Sequence, residues 1–276
     1  MKPLNARSYR GPVRAVVTDL AGTVIDFGSC APAGAFVELF ARSRVTVTPA
    51  QARGPMGLHK RDHIATLAAL PEVAAQWEAA HGAPCGEADI DALYATFIPL
   101  QVACLADHGD LIPGVVEAVA ALREKDIRIA ATTGYNREML ETVLACAEKQ
   151  GFVPDAAVCA EDVAGGRPAP WMNFRAMEQL GVFPPASVVA IGDTIPDIAS
   201  AVNAGVWAVG VTETGNMLGL SQAECAALNA GEREHLLTEA ADLMYAAGAH
   251  YVINGFQELP GLVGQISRAM VEGKRP

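Results

Sequence analysis

The sequence predicts an α/β protein, a parallel-sheet core into which an α-helical cap is inserted, and three observations carry that prediction. Short β-branched apolar runs recur with amphipathic stretches between them, one long interval has no such run, and the runs end in polar residues suited to chemistry. The 276 residues are 51% apolar and 18% charged, which is enough to bury a substantial core and excludes a disordered chain, a collagen or a coiled-coil rod. The formal charge is −11, from 31 acidic and 20 basic residues. That balance disfavours nucleic acid or an anionic membrane as a partner, while leaving room for a small cationic pocket.

Taken in order, residues 1 to about 12 are basic and read as a frayed leader, with no long apolar stretch behind them. The run 13–20 is too short to span a bilayer and supplies the first strand, RAVVTDL. From residue 29 to about 107 no comparable strand appears. Instead AGAFVELFAR, KRDHIATLAAL, EVAAQWEAA and DALYATFIPLQVACLA place apolar residues near i, i+3, i+4 and i+7, the pattern of a helical cap. The boundaries expected are a core of residues 1–28 and 108–276 and a cap of residues 29–107. Ile112-Pro113-Gly114 punctuates the return, and VVEAVAALREK is the helix before a second strand, IRIAATT. AAVCA, SVVAIGD and VWAVGV are the next strands; helices near 222–228 and 233–247, a short strand at 250–254 and a helix after Pro260 complete the core. Cys30, Cys85, Cys104, Cys146, Cys159 and Cys225 are scattered without metal-site spacing, which suits a reduced, cytoplasmic setting.

Four strand ends carry the chemistry. Asp19 closes the first strand at the edge where open α/β sheets place their ligands, and its carboxylate could attack phosphorus, although a lone Asp there more often caps a helix. Thr132-Thr133-Gly134-Tyr135 offers a hydroxyl and backbone N–H groups for phosphate oxygens. Arg167, after the third strand, could neutralise an aspartyl-phosphate. Asp193 and Asp197 after the fourth suit octahedral Mg²⁺, with Asp193 the direct ligand.

These signals, in this order, resemble the haloacid dehalogenase superfamily and imply its Rossmann-like core. Its phosphatases place a second Asp two residues after the nucleophile, where this chain has Ala21. An alkoxide leaving group needs a proton, whereas a carbon leaving group needs an electron sink such as an iminium. Lys60, in PMGLHKRDHI, is the candidate amine; a helix from about Pro55 would put Met56, Lys60 and His63 on one face, although each alone reads as surface charge or core filling.

DLAGTVIDFGSCAP, PMGLHKRDHI, TTGYNREM, GGRPAPWM and IGDTIPDI together resemble the phosphonatase family, the phosphonoacetaldehyde hydrolases, over residues 13 to about 262. The resemblance implies cleavage of a C–P bond through a Lys60 Schiff base and an Asp19 aspartyl-phosphate, with Mg²⁺ held by Asp19, Asp193 and the Ala21 carbonyl. It implies phosphoryl contacts from Thr133, Gly134 and Arg167, proton shuttling or imine positioning by His63, Met56 and Tyr135, and Asp197 behind them. It implies a homodimer through the cap, whose face could include Trp77, Phe97 and Leu100 unless these fill the cap's own core. Leu20 and His59 stand where the family has Trp and Leu, and could reshape the pocket. Cap opening is expected to hinge near Gly28 and at 108–114. A phosphatase or phosphomutase of the same fold would use Asp19 without Lys60. A non-catalytic relative would have lost Asp19, Arg167 or Asp193, all present here.

Overall fold

In the computed structural model, which describes residues 9–276 apart from the side chains of residues 106 and 107, six strands form one sheet. They are β1 (Ala15–Thr18), β2 (Arg128–Thr133), β3 (Ala156–Cys159), β4 (Val188–Gly192), β5 (Trp207–Val211) and β6 (Tyr251–Ile253). The order is β3-β2-β1-β4-β5-β6 and every pairing is parallel. Strand order reverses between β1 and β4, so their carboxyl ends flank the crevice in which such sheets bind ligands. The register fixes what meets there. Thr18 is level with Ala131 of β2 and Ile191 of β4, so the residues that follow leave the sheet side by side.

The strands are near-continuous apolar runs because both faces are covered. Val16, Ile129, Val189 and Val209 pack with the cap side, α6 (Val115–Arg123), α7 (Arg137–Lys149) and α12 (Leu259–Val271). Val17, Ala130, Ala190 and Ala208 face α8 (Trp171–Leu180), α9 (Ile195–Ala204) and Met244 of α11 (Ala230–Ala246). The short α10 (Gln222–Ala227) precedes α11.

Between β1 and α6 run five helices: α1 (Cys30–Arg42), α2 (Pro49–Arg53), α3 (Lys60–Ala68), α4 (Pro71–His81) and α5 (Glu87–Asp107). Helix α5 packs on α1, α3 and α7. Its stretch Glu87–Leu105 is long and apolar enough to cross a membrane by length and composition. In the fold that apolarity has a local use, since Ile90, Leu93, Phe97 and Leu105 are buried on one face. Phe97 stacks on Phe36 of α1 with ring centroids 4.4 Å apart. The chain segments that enter and leave these helices lie together. Asp26 N–H donates to the Asp110 carbonyl at 3.1 Å and Ile112 N–H to that of Val24 at 2.8 Å.

Three expectations need correction. The segment from Pro55 is a turn, and the helix starts at Lys60, because Gly57 takes a left-handed φ of 92° that a helix cannot hold. Residues 1–8 of the expected leader lie outside the described residues, but residues 9–12 are anchored. Arg10 donates to the Val271 carbonyl at 3.3 Å, and just after them Val13 N–H donates to Ser267 Oγ at 3.1 Å. Trp77 and Phe97 are buried inside the cap and offer no dimer face, whereas Leu100 is half-buried.

Candidate active site

Asp19 leaves β1 with its N–H donating to the Ile191 carbonyl at 2.8 Å, which extends the ladder by one residue and aims the side chain into the switch-point crevice. The turn behind it is fixed by the Leu20 carbonyl, which accepts from Thr23, Val24 and Ile25 N–H. Gly22, with φ 81°, presses so close to Asp193 that a Cβ would lie 2.3 Å from its Oδ2. Leu20 itself is buried in the core.

Arg167 holds this floor together. Its Nη1 lies 2.7 Å from Asp19 Oδ1 and 2.8 Å from Asp197 Oδ1, and its Nη2 donates to Thr132 Oγ1 at 2.9 Å. Asp193 Oδ2 accepts from Asn216 N–H at 2.7 Å, and Oδ1 from Thr23 Oγ1 at 3.3 Å. Oxygens of Asp19, Asp193 and Asp197 all lie within 4.8 Å of one another, and all three residues are buried. Burial pushes the Asp19 carboxyl up to about 7 against the pull of Arg167, with Asp197 adding repulsion. Burial and the Asp19 charge raise Asp193 well above the carboxylate range. Three crowded, buried carboxylates fit a hard divalent cation, which would offset the repulsion that raises Asp19 and Asp193. Asp197, expected behind the site, is a direct member of this cluster and closes the capping box of α9, its Oδ2 accepting from Thr194 N–H at 3.1 Å and from Thr194 Oγ1 at 2.5 Å.

The cap closes over this floor. Lys60 is only 3% exposed and shares one cavity of about 20 Å³ with Asp19, Ala21, Met56, Thr133, Gly134, Tyr135, Arg167 and Asp193. That is room for about one water. The lysine side chain lies among apolar groups. Its Nζ is 3.8 Å from Met56 Sδ, 5.5 Å from the Phe36 ring centroid and 5.2 Å from that of Tyr135. Burial, with help from Arg167, lowers its ammonium to about 8 while the Asp19 charge opposes the shift. A fraction of Lys60 is therefore free amine near neutral pH.

His63 is not brought to the cavity. Its Nε2 lies 2.8 Å from the Ala52 carbonyl, which makes that nitrogen the donor, and its ring stacks on Phe36 at 3.7 Å. Burial and the Lys60 charge hold it well below the usual imidazole range, so the ring is neutral, and its Nδ1 is buried without a hydrogen-bond partner. The expected single helix carrying Met56, Lys60 and His63 is broken at residues 55–58, which are a turn: Met56 precedes the helix yet still lines the cavity, while His63 shares α3 with Lys60, three residues on, and bonds away from it. His59 also stays outside the cavity lining; it packs 5.6 Å from Tyr94, ring to ring.

Several lining and supporting residues had no role assigned from the sequence, all but Asn216 lying inside the quoted motifs. Ser29, Pro32, Leu58 and Thr194 line the cavity, and Thr132 and Asn216 hold Arg167 and Asp193. Asp26 does show a purpose: its carboxylate accepts from Cys30 and Ala31 N–H, both at 3.0 Å, at the start of α1. Its spacing to that helix start was the available clue.

The comparisons with known proteins agree with this architecture. Residues 13–205 match the haloacid dehalogenase-like hydrolase model, and residues 164–259 an overlapping HAD-hydrolase-like model. The chain is 44% identical over 264 residues to a phosphonoacetaldehyde hydrolase of Paraburkholderia phytofirmans, covering 96% of this chain and 99% of that one. It is 44% identical over 269 residues to a phosphonoacetaldehyde hydrolase-like protein of Syntrophobacter fumaroxidans, covering 97% of each. The crystal structure of a phosphonoacetaldehyde hydrolase-like protein from Oleispira antarctica superposes over the whole of both chains with a TM-score of 0.97 at 36% identity. A buried aspartate and a buried lysine facing one cavity, on a chain this similar along its full length, place it in one family: this hydrolase belongs to the phosphonoacetaldehyde hydrolase family of the haloacid dehalogenase superfamily.

Proposed function

We propose that the chain hydrolyses the C–P bond of phosphonoacetaldehyde to acetaldehyde and inorganic phosphate. The observation that carries this reading is that Lys60, a buried amine with a lowered pKa, and Asp19, a buried carboxylate, line one small cavity while residue 21 is an alanine. A phosphatase would need a proton donor beside the leaving oxygen, and Ala21 has no proton to give.

Lys60 Nζ adds to the substrate aldehyde and water leaves, giving a protonated imine. An Asp19 oxygen attacks phosphorus, and the C–P electron pair moves into the imine to form an enamine. The enamine is protonated at carbon, water cleaves the imine, and acetaldehyde departs. A second water hydrolyses the aspartyl-phosphate, which restores Asp19 and releases phosphate. Arg167, Thr133 and the backbone of Gly134 bind the phosphoryl oxygens, with Tyr135 and Met56 packing the imine. Mg²⁺ would be held by Asp19, Asp193 and the Ala21 carbonyl, and would supply positive charge at the phosphoryl group. Arg167 keeps Asp19 oriented before substrate arrives, through the 2.7 Å contact.

The test is incubation with phosphonoacetaldehyde and borohydride, with the modified peptide identified by mass spectrometry. Trapping on Lys60, slowed by inorganic phosphate, is expected. Turnover with no label on Lys60 would overturn the imine.

The free cysteines suit a reducing, cytoplasmic compartment. The same reading includes a homodimer through the cap, in which Leu100, half-buried on α5, is the remaining candidate contact of those named from the sequence. Sedimentation of the wild-type chain at micromolar concentration is expected to give a dimer, and a monomer throughout would remove that part.

A further inference from the structure

Seven residues before Lys60, at the end of α2, Arg53 crosses from the cap to the core. Its Nη1 donates to the Gly28 carbonyl at 2.7 Å, the Ser29 carbonyl at 3.3 Å and Asn216 Oδ1 at 3.2 Å, and its Nη2 to the Gly219 carbonyl at 2.9 Å. Asn216 answers with its own side chain, donating from Nδ2 to the Arg53 carbonyl at 3.1 Å. The recess is built for a guanidinium. Gly219 has a left-handed φ of 63°, and a Cβ there would lie 2.6 Å from Arg53 Nε. The backbone of the same Asn216 donates to Asp193 Oδ2 at 2.7 Å. A single residue therefore joins the cap to a carboxylate of the acidic cluster.

We propose that Arg53 is a positioning residue: with Asn216 it latches the cap down, holds Lys60 over Asp19, and ties that closure to the placement of Asp193. The inference rests on the reading of Lys60 and Asp19 as the reacting pair. A cavity of about 20 Å³ cannot admit a phosphonate substrate, so the cap must lift and return in each turnover. The Gly28 and Ser29 carbonyls lie where the chain enters the cap, whereas Asn216 and Gly219 belong to the core. Lifting α2 separates the guanidinium from the core partners, and closing restores a planar fork of bonds that fits one cap position. Arg53 thus sets the balance between open and closed protein. A second contact acts in the same sense: Gly57 presses on Thr194, where a Cβ would lie 2.2 Å from Oγ1.

The experiment compares wild type, Arg53→Met, Arg53→Lys, Asn216→Ala and the Arg53→Met/Asn216→Ala double variant by two independent readouts. The first is amide hydrogen exchange of the substrate-free protein. Segment 53–63 of Arg53→Met is expected to exchange at least tenfold faster, with the sheet unchanged. The second is kcat/KM for phosphonoacetaldehyde, expected to fall at least tenfold in Arg53→Met. Arg53→Lys should recover less than half of that loss on a logarithmic scale, since one ammonium cannot reproduce the fork. Asn216→Ala keeps the backbone donor to Asp193 and should lose several-fold, and the double variant should match Arg53→Met because the two side chains act as a unit. Exchange and kcat/KM within twofold of wild type in Arg53→Met, or additive losses in the double variant, would overturn the latch. If Arg53→Met does not fold, Asn216→Ala decides, and wild-type exchange and kinetics in it would be the refuting result. Failure of wild type to trap phosphonoacetaldehyde on Lys60 would refute the reaction instead, leaving the exchange result to judge the latch alone.

Discussion

Lys60 is the residue on which the chemistry turns, and its surroundings make it a nucleophile at a cost in stability. A lysine whose folded value is about 8 against 10.5 unfolded binds fewer protons in the native state between those values. Stability contributed by this group therefore rises from pH 8 to 10.5, and below 8 the buried ammonium costs on the order of 3 kcal/mol. Lys60→Met should accordingly raise the Tm at pH 7 while abolishing trapping, and a clear fall in Tm would contradict the strained environment described here. Trapping of wild type with acetaldehyde and borohydride should increase with pH and level off above about 8. A midpoint at the ordinary lysine value of 10.5 would show that the amine is not tuned. Lys60→Arg keeps a cation but has no amine to condense, so C–P cleavage should be lost; substantial residual turnover would refute the imine.

At the level of elements, two short segments decide whether the cap can reach the core. The first is the start of α1, where Asp26, at a left-handed φ of 56°, accepts from two backbone donors that the helix leaves open. Asp26→Ala should cost about 1–2 kcal/mol, read as a fall in Tm; an unchanged Tm would show that water replaces the cap. The second is the turn at Gly57. Gly57→Ala adds a methyl group against Thr194 and strains a φ of 92°. Its expected signature is a kcat/KM at least tenfold lower with Tm within a few degrees of wild type, and full activity would mean that the cap closes some other way.

For the whole molecule, the acidic cluster is the main source of electrostatic stress. Asp19 is raised from 3.8 to about 7, so the native state binds more protons than the unfolded chain between those values. Stability of the cation-free protein should fall as pH rises through that window. Mg²⁺ would relieve the stress where the carboxylates are ionised. Millimolar Mg²⁺ is therefore expected to raise the Tm at pH 8 and to do little at pH 5, by about 2.7 kcal/mol at a hundredfold excess over its Kd. Chelator should stop turnover, and Asp193→Asn should remove the Mg²⁺-dependent shift. An equal shift in that variant would take Asp193 out of the cation site.

Much of this was legible from residue order alone. Strand runs have a period and a composition, so the α/β core and the helical stretch at 29–107 follow from hydrophobic pattern. Asp19, Thr133, Arg167 and Asp193 sit at strand ends, where position along the chain already implies position in space. Lys60 was legible through its motif and the missing acid at Ala21. What only the tertiary structure decided is everything that depends on distance across the switch point: that Lys60 and Asp19 line one cavity, that His63 bonds the Ala52 carbonyl, that Asp197 joins the acidic cluster, and that Arg53 meets Asn216. Periodicity reports which way a side chain faces within its own element. Whether two elements 163 residues apart in sequence bring a guanidinium to an amide is fixed by packing, which no local pattern encodes.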